Sequence, residues 1–185
     1  MPMLDAYIPA GALSPDAEEK LLARLTDLLL QHEGVDPANP AARSNAWVFV
    51  HRPVVYAGGL PATEPRYRFV CQVPEGQYND ERRQAVTAAM TQAVADAEAG
   101  SRPDPSSRVW VFTHEVPDGT WGALGRVVRL PDIYEHVAGP GTRLLAQQRL
   151  AARRRREADA LIEMAGADPR PEPSSHLPGR SGNAR

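Results

Sequence analysis

The residue best suited to chemistry stands second in the chain. Met1 precedes a small residue and is expected to be removed, leaving Pro2 as a secondary amine at the head of a strand. An α-amino group titrates near ~8, and an apolar cavity favours its neutral form. Such a nitrogen is a general base poised near neutral pH, with its direction fixed by the ring. Other chemistries lack their residues. There is no GxGxxG, GxSxG, CxxC or HExxH segment. The single cysteine, Cys71, cannot close an internal disulfide, and His32, His51, His114, His136 and His176 are scattered singly. No metal site is expected.

Positioning Pro2 requires a sheet, and the chain spells one out in two rounds. Met3–Ile8 is a strand candidate. Ser14-Pro15 is a helix start, with a cap, a first-position proline and acids in the first turns. Leu21, Leu22, Leu25, Leu28 and Leu29 recur at helical spacing up to Gly34. Ala46–His51 is the next strand, closed by Pro53 and the Gly58-Gly59 turn. The pattern then returns. Arg66–Val73 is a strand, Asn79 caps a helix that ends near Gly100, Arg108–His114 is the last strand, and the turn DGTWGALG follows. Pro2–Gly11 can be laid on Tyr67–Gly76, and AWVFVHRP on VWVFTHEVP. This tandem β-α-β pattern predicts an α+β fold: a four-stranded sheet with two helices on one face. The body is expected over residues 1–138, with halves at about 2–62 and 66–131. An Arg-rich helix is expected at 141–165 and a disordered tail at 166–185, where Pro, Ser and Gly leave little to bury.

The chain has 185 residues, 42% hydrophobic and 24% charged, which suits a soluble globular protein. No stretch approaches the ~18–20 apolar residues needed to cross a bilayer, so no membrane association is expected. The first residues carry no basic stretch before an apolar run, so no secretory signal and a cytoplasmic location are expected. Net charge is −2, but residues 1–140 hold twelve basic and eighteen acidic groups. An acidic body does not attract nucleic acid. The run Arg153–Arg156 fans around a helix without an aromatic platform, and is read as a solvated face. Apolar residues on both faces of the predicted strands call for a partner, hence oligomerisation.

Taken together, Pro2 at a strand start, Leu13-Ser14-Pro15, Phe49, Pro53, Gly58-Gly59, Val109-Trp110-Val111, Glu115, Pro117, Gly125-Arg126 and Leu130-Pro131 resemble the tautomerase superfamily. The likeness is to members with two fused halves, akin to cis-3-chloroacrylic acid dehalogenase and 4-oxalocrotonate tautomerase, and it covers residues 2–131. It implies an N-terminal proline as acid/base, no cofactor, an enol or keto small-molecule substrate, and a homotrimer. Carried over to this chain, it implies a pocket around Pro2 containing Tyr78, Trp110, Phe112, His114 and Trp121. Arg126 is the remaining cation for a carboxylate or enolate oxygen. Tyr67 stands where a second proline would be, so one site per protomer is expected.

The chain also departs from the dehalogenase-like pattern. Leu29 replaces a substrate-positioning histidine, Glu75 and Tyr78 replace two carboxylate-binding arginines, Phe112 replaces a tyrosine, and Ala123 replaces the water-activating glutamate. These changes disfavour hydration and favour a less charged substrate. A tautomerase or isomerase leads this reading. A proline-dependent lyase (a decarboxylase or a dehalogenase-like enzyme), a cyclising enzyme, or a trimeric binding protein without turnover remain open.

Overall fold

A computed structural model describes residues 2–166. The chain divides into two compact units, Met1–Arg153 and Arg154–Arg185.

The first unit opens with β1 (Met3–Tyr7), in which Leu4 and Ala6 are fully buried and their neighbours half-buried. The period of two follows from strand geometry. Helix α1 (Pro15–Glu33) starts where the sequence predicts. The Ser14 Oγ accepts the Ala17 N–H at 3.3 Å, and Gly34 ends the helix in the left-handed region at φ 81°. A short helix, α2 (Pro40–Ser44), leads into β2 (Trp47–His51) and the hairpin β3 (Tyr56–Ala57) and β4 (Leu60–Pro61). The second round consists of β5 (Tyr67–Pro74), α3 (Asp80–Glu98), a 3-10 turn (Pro105–Ser107) and β6 (Val109–Val116). Then come the hairpin β7 (Trp121–Ala123) and β8 (Arg126–Val128), α4 (Leu130–Ala138) and α5 (Arg143–Gly166).

The sheet order is β2-β1-β5-β6. The outer pairs are parallel and the central pair β1/β5 is antiparallel, with Met3 opposite Gln72 and Tyr7 opposite Arg68. This is the expected tandem repeat: each β-α-β unit makes one parallel pair, and the two units meet along β1 and β5. Helices α1 and α3 both lie on one face. Leu21, Leu25, Leu28 and Leu29 of α1 and Val86, Met90 and Val94 of α3 pack against Leu4, Ala6, Phe69 and Cys71. Each large side chain fully buried there contributes roughly 1.5–3 kcal/mol. Burial also pushes the Cys71 thiol up to about 12, which leaves it inert at neutral pH.

Among the described residues the opposite face is uncovered, and it carries rings. Trp47 is 61% exposed and Trp110 66%, with Phe49 and Phe112 also exposed. Between the rings lie polar links: the Asp5 carboxylate bonds His51 Nε2 at 2.7 Å, and the Arg68 guanidinium sits over Tyr7 and Phe112.

Besides the short helix α2 and the β3/β4 hairpin, two features differ from the sequence reading. The segment expected as a simple turn after β6 is a paired hairpin, and residues 130–138 form α4, for which no helix is predicted. Pro131 stands at the helix start, and the Asp132 side chain accepts the Arg129 N–H at 3.1 Å. The cue was in the sequence, since Leu130, Ile133, Tyr134 and Val137 recur at helical spacing, but over only 9 residues. Helices α4 and the start of α5 share a small core of Leu130, Ala146 and Leu150 with Tyr134 against it. In the second unit the described residues, 154–166, are helical and exposed. The tail expected to be disordered lies, apart from Gly166, outside the described residues. Among the described residues no helix is long and apolar enough to cross a membrane.

Candidate active site

Pro2 is buried, and its carbonyl accepts the Trp47 N–H at 3.3 Å, which ties the first residues of β1 to β2. Because β5 runs antiparallel to β1, the far end of β5 and the segments after β6 return to the edge where Pro2 sits. There Pro2 lines a cavity of about 480 Å³ whose walls come from the start of the sheet, the β7/β8 hairpin and α4. This size suits a small molecule.

Of the residues that the sequence points to, Pro2, Trp121 and Arg126 meet at this cavity. Trp121 comes from β7 and Arg126 from the opposite arm of the hairpin, with Ala123 paired to Arg126. The hairpin turns at Leu124 and Gly125, whose φ values are 54° and 71°. Leu124 also lines the cavity and is 88% exposed. Arg126 Nη1 lies 4.0 Å from Asp132 Oδ2, beyond hydrogen-bond reach, whereas Arg143 bonds the other Asp132 oxygen at 2.8 Å. The Arg143 bond, helped by the Arg129 N–H, holds the Asp132 carboxyl below the usual range. Asp132 is thus an anion with a committed partner, and the guanidinium of Arg126 has N–H donors to offer an oxyanion.

Tyr78, Trp110, Phe112 and His114 do not line this cavity in the single chain. The three β6 residues alternate onto the uncovered face, where Phe112 and His114 stack with centroids 6.5 Å apart. Tyr78 turns inward instead and is 2% exposed; its hydroxyl has no hydrogen-bond partner among the described residues. Burial pushes that phenol well above its ordinary range, so it stays protonated. The expected place of a second proline is filled: the Tyr67 hydroxyl is buried and donates to Glu98 Oε1 at 3.0 Å.

The structure adds five polar residues to the cavity wall, Asn45, Gln72, Thr120, Asp132 and His136. Asn45 Nδ2 and His136 Nε2 lie 3.4 Å apart, which links the segment after α2 to α4. Asn45 carried no signal, and His136 stands alone in sequence. The Pro131-Asp132 helix start, with Leu130, Ile133, Tyr134 and Val137 at helical spacing, was the cue to α4 and hence to Asp132 and His136. Among the described residues no group of three or more His, Cys, Asp or Glu is placed to hold a metal ion.

No protein-family model matches the chain, and no curated protein matches it. Solved structures do. One, of Pt0534 inactivated by 2-oxo-3-pentynoate, is 23% identical, covering 68% of this chain and 94% of that one at a TM-score of 0.55. Another, a wild-type fused 4-OT symmetric trimer, is 20% identical over 67% of this chain and 93% of that one, at 0.54. A macrophage migration inhibitory factor from Toxoplasma gondii is 14% identical over 68% of this chain and 99% of that one, also at 0.54. The architecture is therefore the fold of these fused 4-OT and macrophage migration inhibitory factor structures, the fold that the sequence resemblance implies. The likeness is one of fold. It spans nearly the whole of each of these proteins, and the remainder of this chain is additional to it.

Proposed function

We propose that the protein is a cofactor-independent tautomerase in which the Pro2 nitrogen, freed by removal of Met1, is the general acid/base. The observation that carries this reading is that Pro2 is buried at the head of β1 and lines the 480 Å³ cavity beside Trp121 and Arg126. The neutral amine takes a proton from an enol oxygen or from the carbon next to a carbonyl. The resulting ammonium returns that proton to another carbon. Arg126 stabilises the oxyanion that develops between the two transfers. The substrate is a small enolisable carbonyl compound whose apolar part rests against Trp121 and Leu124. Proton transfer by a positioned group contributes roughly 10²–10⁴-fold.

The working form is a trimer. Its support is the exposed ring-bearing sheet face, and one of the structures with the same fold is a fused 4-OT described as a symmetric trimer. In such an assembly Trp110, Phe112 and His114 are covered by neighbouring copies, and the pocket gains walls that a single chain lacks.

The test begins with the intact mass of the purified protein, which is expected to lack Met1. Ketonisation of phenylenolpyruvate and 2-hydroxymuconate is then followed for the native protein and for Pro2→Ala. The variant is expected to lose about 10²–10⁴-fold in kcat/KM. A neighbouring fold was inactivated by 2-oxo-3-pentynoate, and here the same reagent is expected to add its mass to the N-terminal peptide. Full activity in Pro2→Ala would sink the proposal.

A further inference from the structure

We infer that Glu33, at the end of α1, is a positioning residue for the Pro2 nitrogen: its carboxylate accepts one N–H of the protonated amine and directs the other into the cavity. This rests on the proline reading above but goes beyond it, and its warrant is the internal repeat of the chain.

Helices α1 and α3 are both 19 residues long. The shift that lays Pro2 on Tyr67 also lays the cap Ser14 on the cap Asn79, and Glu33 on Glu98. In the second half the arrangement is explicit. The Glu98 carboxylate, 4% exposed, accepts the Tyr67 hydroxyl at 3.0 Å and both Arg108 Nη atoms at 2.8 and 2.6 Å. The acid ending the helix therefore bonds the side chain of the residue that opens the strand. The reason is topological. In a β-α-β unit the helix runs back against its strands, so its last turn lies over their first residues.

The first half repeats this with other chemistry. Glu33 is 3% exposed. Pro2 belongs to the same sheet face as Leu4 and Ala6, which is the face that α1 covers. Ile133 lines both the Pro2 cavity and a smaller one, of about 240 Å³, that Glu33 lines. The position of Arg108, one residue before the strand residue Val109, corresponds to Asn45, one before Ala46, and Asn45 also lines the Pro2 cavity. A protonated secondary amine offers Glu33 what Arg108 offers Glu98: positive charge with N–H donors. Arg149 acts electrostatically on Glu33 and Glu33 on Tyr78, and Arg126, Asp132 and His136 border the Pro2 cavity. Burial pushes the Glu33 carboxyl up, with the Arg149 charge opposing.

A secondary ammonium has two N–H bonds. With one held by Glu33, the second is the proton that moves: it leaves for the substrate carbon, and the lone pair left behind takes the next proton from the cavity side. Glu33 neither gains nor loses a proton in the cycle. In the second half Tyr67 and Arg108 occupy the corresponding space, which closes that site.

The test reads the nitrogen itself. Protein labelled with ¹⁵N-proline and shown by mass to lack Met1 is titrated by NMR as wild type, Glu33→Gln, Glu33→Asp and Glu98→Gln. An opposite charge within a few ångströms favours the charged form, so Glu33→Gln is expected to lower the Pro2 titration midpoint by about 1–3 pH units. The acid limb of kcat/KM should move with it. Glu33→Asp should retain most of the wild-type midpoint, and keeps the test decisive should the glutamine variant not fold. Glu98→Gln should leave it unchanged. A Pro2 midpoint in folded Glu33→Gln equal to wild type overturns the inference, as does an equal shift in Glu98→Gln. Retained Met1 overturns both this and the proline reading. Full activity in Pro2→Ala together with a shifted nitrogen would sink only the function.

Discussion

Glu98 and Arg108 show what a charge costs and contributes inside this fold. Both side chains are 2% exposed, and Nη2 of the arginine lies 2.6 Å from the carboxylate. Desolvation pushes the Glu98 carboxyl up, but the bonds from Arg108 and Tyr67 outweigh it and hold it below its ordinary 4.5. Removing one member of such a pair strands the other, so Glu98→Gln should destabilise the protein by about 3–5 kcal/mol at pH 7. The sign with pH follows from the depressed carboxyl. Its stabilising contribution is fully present above about 4.5 and is lost as pH falls through the lower folded value. Urea midpoints of wild type and Glu98→Gln should therefore converge on acidification; a constant gap down to pH 3 would contradict this. Part of this pair is readable in the chain, since the repeat lays Glu33 on Glu98. The bidentate contact is not, because Glu98 and Arg108 meet only after the chain turns between α3 and β6.

The β7/β8 hairpin is the element on which the candidate site leans most. Its turn places Leu124 in the left-handed region, which costs a residue with a Cβ roughly 1–2 kcal/mol. Gly58 and Gly59 fill the corresponding turn of the first half without that cost. The leucine is exposed and lines the cavity with Trp121 and Arg126. Leu124→Asn should raise stability by up to about 1 kcal/mol, measured by thermal unfolding of the isolated chain, because asparagine tolerates this conformation better. It should also raise KM for an apolar enol more than it lowers kcat. A loss of stability instead would mean that another subunit packs on the leucine. Turn chemistry marked this segment as a turn from sequence. It did not reveal that the turn closes a hairpin over Pro2, because strands of 3 residues carry almost no periodic signal.

At the scale of the molecule, the sheet is finished on one side only. Trp47, Phe49, Trp110 and Phe112 form an exposed set of rings along β2 and β6, the two edges of the sheet. Exposed rings gathered on one sheet face in this way mark an interaction surface. If the proposed trimer forms through this face, Phe112→Asp is expected to shift it to monomer, as sedimentation velocity would show, with the fold retained in circular dichroism. An unchanged trimer would assign the face to some other role. Loss of activity together with loss of assembly would support a pocket completed by neighbouring copies.

The tandem β-α-β order, both long helices with their caps, and Pro2 as the chemical candidate were all legible in the amino-acid order. Each rests on local physics: capping side chains, leucines at helical spacing, alternation in strands, and a proline behind a removable methionine. Tertiary structure alone decided which candidates meet. It brought Trp121 and Arg126 to Pro2, turned Tyr78 inward, left Trp110, Phe112 and His114 on the uncovered face, and supplied Asn45, Asp132 and His136. Those choices depend on the antiparallel meeting of β1 with β5 and on where α4 packs. Both are settled by burial between segments far apart in the chain, which no local pattern encodes.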